Sequence, residues 1–266
     1  MVKKIDGIKI AEKVKDEVVQ AIFKAGSRPN LAIILVGERE DSKLYVSLKE
    51  KEAVKVGIDT HLYKFAETTT EQELLETIEF LNIDDTVDGI LIQLPLPEHL
   101  NTDKIIATLD PLKDVDGFHP DHPDYVSSPV LAAIIACLEE IKLDYFQKTA
   151  AVFYNSEVFG LAAQTALVKK GLTILPIEQS EEADVLVSAL GVPQSIKKEV
   201  IKERAVLIDI GTTKVDDKVV GDIDFEDVKD KAAYITPVPG GIGPMTIAFL
   251  FKNVWEIFKR RRGKLL

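Results

Sequence analysis

The sequence predicts an α/β protein of two domains, and three observations carry that reading. Its 266 residues amount to about two domains at roughly 150 residues each. Short β-branched apolar runs alternate with amphipathic helical patterns, the signature of parallel sheets covered by helices. The alternation stops over 110–129, where Pro111, Pro120, Pro123, Pro129 and a crowd of aspartates spell loop, and then resumes.

Residues 31–36 (Leu-Ala-Ile-Ile-Leu-Val) form a compact apolar run ended by Gly37 and read as a buried strand, as do residues 88–94. Between them, 42–56 and 70–82 carry helical patterns. After the break, residues 150–154, 172–175, 185–188 and 205–210 are expected strands, with helices near 129–141 and 158–170. The last segment, 245–262, has Ile247, Leu250, Phe251, Val254, Trp255 and Phe258 at helical spacing. The domain boundary is expected near 115–125, with the last helix returning to the first domain.

Composition removes several function classes. The chain is 46% hydrophobic and 29% charged, a globular mix. It has 33 Lys and Arg against 44 Asp and Glu, a net charge of −11, which disfavours a nucleic-acid partner. Cys137 is the one cysteine, so an internal disulfide and a Cys-rich zinc site are excluded. No apolar run reaches the roughly 18 residues of a membrane helix, and residues 1–6 lack a signal-peptide core. A cytoplasmic protein without a membrane partner is expected.

Four segments carry chemistry. In the first, Asp41 or Ser42 is expected to cap a helix that Gly57 ends. Tyr45 and Lys49, four residues apart on it, would share one face, as an aromatic stacking group beside a proton-transfer group or as an ordinary solvated face. In the second, Gln93 is a polar residue in an apolar run that meets Leu94 and Pro95. It needs a partner if buried and lies where α/β sheets bind ligands, beyond a strand's carboxyl end. The third places Asp114 and Asp116 before Gly117, with His119, Asp121 and His122 following. It reads as a turn whose carboxylates can accept paired hydrogen bonds, and no metal is assigned to it. The fourth, 236–246, reads Thr-Pro-Val-Pro-Gly-Gly-Ile-Gly-Pro-Met-Thr. Its glycines permit close backbone approach to a ligand.

Together these segments resemble the methylenetetrahydrofolate dehydrogenase / methenyltetrahydrofolate cyclohydrolase family. The shared patterns are Ser-x-x-Tyr-x-x-x-Lys, Gln-Leu-Pro-Leu-Pro, Lys-Asp-Val-Asp-Gly and the 236–246 stretch, supported by Asp6-Gly7, Asp209-x-Gly211 and the segment from Val220 to Phe225. The resemblance implies a folate-binding catalytic domain over 1–119 plus the C-terminal helix 245–266. It also implies a Rossmann-like NAD(P)-binding domain over 120–244, a cleft between the two, and a homodimer. It implies Lys49 as the catalytic group for hydration and opening of the methenyl bridge. Tyr45 would stack on the folate, Gln93 would tune Lys49, and Asp116 would hold the pterin. Gln93, Leu94, Pro95, Pro239, Gly240, Gly241 and Ile242 would line the tetrahydrofolate pocket. NADP or NAD would meet Asn155, Ser156, Gly160, Glu178, Gly191, Gly211 and Thr212.

The second domain departs from the family pattern. Tyr154 stands where the family has the first glycine of the dinucleotide turn, Asn155 where it has arginine, and Leu161-Ala162 where it has Lys-Pro. Glu178 replaces a segment that favours the extra phosphate of NADP, and an acid some 20 residues past a glycine turn suits an unphosphorylated ribose. Leu131 and Gln194 also replace glycines. The expectation is that the folate chemistry is intact while the dehydrogenase half is reduced, switched in cofactor, or lost. A folate-binding relic is the non-enzyme alternative.

Overall fold

The computed structural model describes residues 2–216 and 218–263. Its elements in chain order are β1 (Lys3–Lys4), α1 (Gly7–Ala25), β2 (Asn30–Val36), α2 (Glu40–Val56), β3 (Asp59–Phe65), α3 (Glu71–Ile83), β4 (Gly89–Ile92), α4 (Thr102–Thr108), α5 (Pro129–Glu140), β5 (Thr149–Tyr154), α6 (Glu157–Lys169), β6 (Thr173–Ile174), β7 (Val185–Ala189), β8 (Val206–Asp209), β9 (Thr213–Val215), β10 (Lys218–Val220), α7 (Phe225–Val228), β11 (Tyr234–Ile235) and α8 (Ile242–Arg262). They group into two units, Lys13–Pro129 with Ile247–Leu266, and Met1–Glu12 with Val130–Thr246.

The first of these units holds a parallel sheet in the order β3-β2-β4. Strand β2 is buried on both faces, which is why its sequence is continuously apolar rather than alternating. Leu31, Ile33 and Leu35 pack with Val46, Ala53 and Val56 of α2 and with Leu250, Phe251 and Val254 of α8. Ala32, Ile34 and Val36 pack against Leu74, Ile78 and Leu81 of α3 on the other side. The C-terminal helix therefore does pack with the first sheet. It begins at Ile242 rather than 245, and residues 264–266 of its expected span lie outside the described residues.

The other unit is a parallel sheet in the order β1-β11-β8-β7-β5-β6. Its connections run from β5 to the edge strand β6 and back to β7, so the strand order reverses between β5 and β7. In open α/β sheets ligands sit at such a switch point, beyond the carboxyl ends. The units differ from the sequence division in two respects. Residues 1–12 group here because β1 pairs in parallel with β11, and the change of unit falls at 129/130.

Other differences have local causes. Helix α1, strand β3, helix α4 and the β9–β10 hairpin were not expected. Strand β3 has its residues half-buried or exposed, so it lacks an apolar run. Helix α2 begins at Glu40, one or two residues ahead of the expected cap. Arg39 precedes it with no side-chain capping bond, and Asp41 instead binds Arg39. Its other end is as expected, with the Gly57 N–H closing on Ala53 and Val54 at φ 87.

Candidate active site

Lys49, Tyr45, Gln93 and Asp116 all lie in the unit built on β2. Helix α2 carries Tyr45 and Lys49, and Gln93 directly follows β4. The Gln93 N–H extends the ladder by donating to Ile34 O at 2.9 Å, which fixes its backbone at the carboxyl end of the sheet. Its side chain then accepts from Lys49 Nζ at 2.9 Å and donates to Leu94 O at 2.7 Å. The polar residue in the apolar run thus has its partners. The Leu94–Pro95 peptide is cis.

Asp116 is held by its loop. Lys113 O accepts from Ile90 N at 2.7 Å, and residues Ile90 and Asp114 form an isolated bridge, so the loop runs beside β4. The Asp114 carboxylate accepts from the N–H groups of Asp116 at 3.0 Å and His119 at 2.7 Å. Asp114 is therefore consumed in shaping the turn, whereas Asp116 is left for other work. From α8, Asn253 Nδ2 donates to Val115 O and to Ser127 O, both at 2.8 Å, joining the two sides of this loop.

Burial drives the electrostatics. It lowers the pKa of the Lys49 ammonium from its ordinary value, and the nearby Asp116 carboxylate partly offsets this. Burial pushes the Asp116 carboxyl up to about 6, with Lys49 opposing and Asp114 adding to the rise. Both groups are thus drawn toward their neutral forms, and a lysine with a depressed pKa can take and give protons nearer neutrality.

Two further side chains were missed in the sequence. Ser42, expected as a cap, is buried and its Oγ has no hydrogen-bond partner among the described residues. Its spacing of three and seven residues from Tyr45 and Lys49 puts it on their face of α2, and that spacing was the available signal. Lys113 is 1% exposed, with Nζ donating to Leu81 O at 2.8 Å and Asp84 O at 2.7 Å. A cation there caps the carbonyl end of α3. No sequence signal separates it from a surface lysine.

The basic end of α8 is engaged locally. Arg262 Nε donates to Asp88, which is fully buried, at 2.7 Å, and Arg260 lies 4.1 Å from the Tyr125 ring centroid. Among the described residues no group of His, Cys, Asp or Glu is arranged to hold a metal, and no helix is long and apolar enough to cross a membrane. His119 Nδ1 accepts from Asp121 N at 3.0 Å, so it serves its own turn.

The remaining expected residues lie in the other unit. Pro239, Gly240, Gly241 and Ile242 follow β11, with a cis Val238–Pro239 bond and Gly240 at φ 101. A Cβ on Gly7 would collide with the Gly241 backbone, which explains the Asp6-Gly7 pattern as close packing against this loop.

At the carboxyl end of β5, Ser156 accepts from Phe159 N and so caps α6. Gly160 is buried in its first turn, where a Cβ would strike the Tyr154 ring. The close approach that glycine permits is filled by the protein's own tyrosine. Asn155 spans the switch point, its N–H donating to Ala189 O at 3.3 Å and its amide to Leu190 O at 2.9 Å. Glu178 is exposed in the short 3₁₀ segment after β6.

The flank of Gly211 is filled by the Asp222 carboxylate, and its N–H donates to Asp209 Oδ1 at 3.0 Å. Asp209 also accepts from Asp222 N and Ile223 N, while Asp222 accepts from Ser188 Oγ, Leu190 N and Val192 N. Gly211 thus belongs to a buried structural knot. Gly191 and Thr212 are exposed beside it. Gln194 takes φ 52, the left-handed conformation that favours glycine.

Comparison with known proteins matches both units. A sequence model described as tetrahydrofolate dehydrogenase/cyclohydrolase, catalytic domain, matches residues 5–116, and one for the NAD(P)-binding domain of the same family matches residues 128–262. The chain is 42% identical over 278 residues to the bifunctional protein FolD of Sulfurihydrogenibium sp., covering 97% of this chain and 98% of the relative. It is 38% identical to FolD of Aquifex aeolicus over 275 residues, covering 97% and 94%. Among solved structures, it resembles the bifunctional FolD dehydrogenase/cyclohydrolase of Campylobacter jejuni at a TM-score of 0.93 and 34% identity, covering 98% of this chain and all of the other. It also resembles the Trypanosoma brucei enzyme complexed with NADP and an inhibitor, at a TM-score of 0.90 and 29% identity, covering 97% and 98%.

Proposed function

The chain belongs to the tetrahydrofolate dehydrogenase/cyclohydrolase family, and on that premise we propose that it interconverts tetrahydrofolate-bound one-carbon groups. It is an NAD(P)-dependent methylenetetrahydrofolate dehydrogenase and a methenyltetrahydrofolate cyclohydrolase. The observation that carries the proposal is the Lys49–Gln93 hydrogen bond of 2.9 Å beside Asp116, in the unit that the catalytic-domain model matches.

The hydrolytic half follows from these groups. Water adding to the cationic methenyl carbon must shed a proton, and breaking the carbon–nitrogen bond must deliver one to the departing ring nitrogen. Lys49, with its pKa depressed by burial, is the group that carries this proton in both directions. A cationic substrate beside it favours the neutral amine further. Gln93 holds the amine in place, and its own orientation is fixed by Leu94 O. Asp116 accepts hydrogen bonds from the pterin, and Tyr45, 44% exposed on α2, offers a stacking face.

The nicotinamide coenzyme, when bound, accepts the hydride from the methylene carbon. The chain's own contribution to that half is positioning, from the α6 amino terminus with Ser156 and from Gly191 and Thr212. By the family pattern, folate contacts are assigned to Pro239, Gly240, Gly241 and Ile242 as well. We further propose a cytoplasmic homodimer, as the family resemblance implies.

The test is to assay cyclohydrolase and dehydrogenase side by side on wild type and Lys49→Ala. Hydration of the methenyl substrate is expected to disappear in the variant. Unchanged hydration overturns the roles.

A further inference from the structure

The choice between the two nicotinamide coenzymes is written at the edge of the parallel sheet. Strand β6 lies beside β5 in register, Thr149 opposite Thr173 and Ala150 opposite Ile174. Beyond that pairing Leu175 N donates to Ala150 O at 2.8 Å, and the 3₁₀ segment Ile177–Glu182 that carries Glu178 packs against β5, whose carboxyl end opens into the β5–α6 turn. In such a unit the pyrophosphate meets the helix after the first strand, and the adenosine ribose meets the end of the second. NADP adds a phosphate to that ribose, and a site that accepts it needs an arginine or comparable cation there.

The stretches that form this corner offer no such cation. Neither 149–168 nor 171–196 contains a lysine, arginine or histidine, while Glu157, Glu178, Glu181, Glu182 and Asp184 fall within them. Of the lysines around these stretches, Lys148 and Lys202 pair with Asp184 at 3.1 and 2.9 Å, Lys170 with Glu139 and Lys197 with Asp224, while Lys169 lies in the last turn of α6, at the far end of that helix from the β5–α6 turn. Asn155 spends its amide on Leu190 O, and the Tyr154 ring fills the flank of Gly160. Glu178 has no hydrogen-bond or ion-pair partner among the described residues and is exposed. A carboxylate there accepts from the 2′- and 3′-hydroxyls of a plain ribose and repels a 2′-phosphate.

We infer that this chain takes NAD in preference to NADP, with Glu178 as the residue that sets the choice. The inference rests on the dehydrogenase reading above and names its coenzyme.

The test is binding of NADH and NADPH to the full-length protein by calorimetric titration, with the cyclohydrolase rate of the same preparation recorded alongside. NADH is expected to bind at least about tenfold more tightly, the size that a like-charge contact at a solvated site supports. The preference should shrink as salt is added. Glu178→Gln should narrow the gap and Glu178→Arg should reverse it. Equal or tighter binding of NADPH by the wild type overturns the inference, as does the failure of both coenzymes to bind. A normal cyclohydrolase rate in either case leaves the folate reading standing, whereas its absence counts against that reading itself.

Discussion

Lys49 Nζ donates to Gln93 Oε1 at 2.9 Å while the nitrogen of the same amide donates to Leu94 O at 2.7 Å. One amide is thus turned by the backbone that follows it so that its oxygen faces the lysine. Gln93→Leu removes the acceptor and leaves Lys49 unplaced. Cyclohydrolase turnover should fall by about 10²–10⁴, the range for general acid–base groups. Steady-state assays check this, and Gln93→Glu should recover part of the loss by restoring an acceptor. A Gln93→Leu enzyme of normal turnover removes Gln93 from the proton path.

Asp116 supplies a pH signature. Its carboxyl is raised to about 6 by burial, above an ordinary aspartate near 3.9, so the folded state holds the proton more firmly than the unfolded one. The stability linked to this group is fully present below about 4 and is lost as pH rises through about 6. Asp116→Asn removes that dependence, so the variant should gain on the wild type across this window and hold a constant difference above it. Because Asp116 holds the Lys49 pKa up, the lysine limb of the cyclohydrolase pH profile should move to lower pH in the same variant. Denaturation and rates measured from pH 4 to 9 check both.

Asn253 satisfies two carbonyls, Val115 O and Ser127 O. Asn253→Ala leaves both without their donor in a largely buried place, at a cost of about 2–5 kcal/mol. Urea unfolding with unchanged m-value measures it. A loss below about 0.5 kcal/mol, the scale of ordinary surface substitutions, means the carbonyls have found other donors.

Gly160 and Tyr154 are coupled by shape. Gly160→Ala should destabilise by about 1–3 kcal/mol through overpacking, because the new methyl strikes the Tyr154 ring. Most of that cost should vanish in the Tyr154→Ala background, and a double-mutant cycle reads the coupling. Additive effects of the two substitutions exclude the packing account.

Much of the fold was legible because burial writes itself into composition. Strands β2 and β4 are sealed on both faces, and their sequences are unbroken apolar runs. Strand β3 is half-buried or exposed along its length, and its polar and aromatic mixture gave no run to find. Two-residue β1 exists only because β11 is beside it, a pairing no local pattern encodes. At the site, Gln93 was legible as a polar residue in an apolar run. Asp114 and Asp116 were told apart in sequence only by the family resemblance, and the physical difference, two N–H groups donating to Asp114, is visible only in the structure. Ser42 was taken for a cap because serine ahead of a helical pattern usually is one. Lys113 was invisible, since a lysine on backbone carbonyls has no charged partner to betray it.

The polypeptide changes unit three times, at 12/13, 129/130 and 246/247, so neither unit is a continuous stretch of chain. During synthesis, the loop that bears Asp116 emerges long before Asn253, whose amide ties Val115 to Ser127. The core face of Leu31 and Ile33 likewise waits for Leu250 and Phe251. Fragments cut at 129/130 would each lack a piece of their own core. The ribosome must therefore release the chain past Asn253 before the Asp116 loop can be tied down, so the unit that bears Lys49 matures only after the residues of the other unit have emerged.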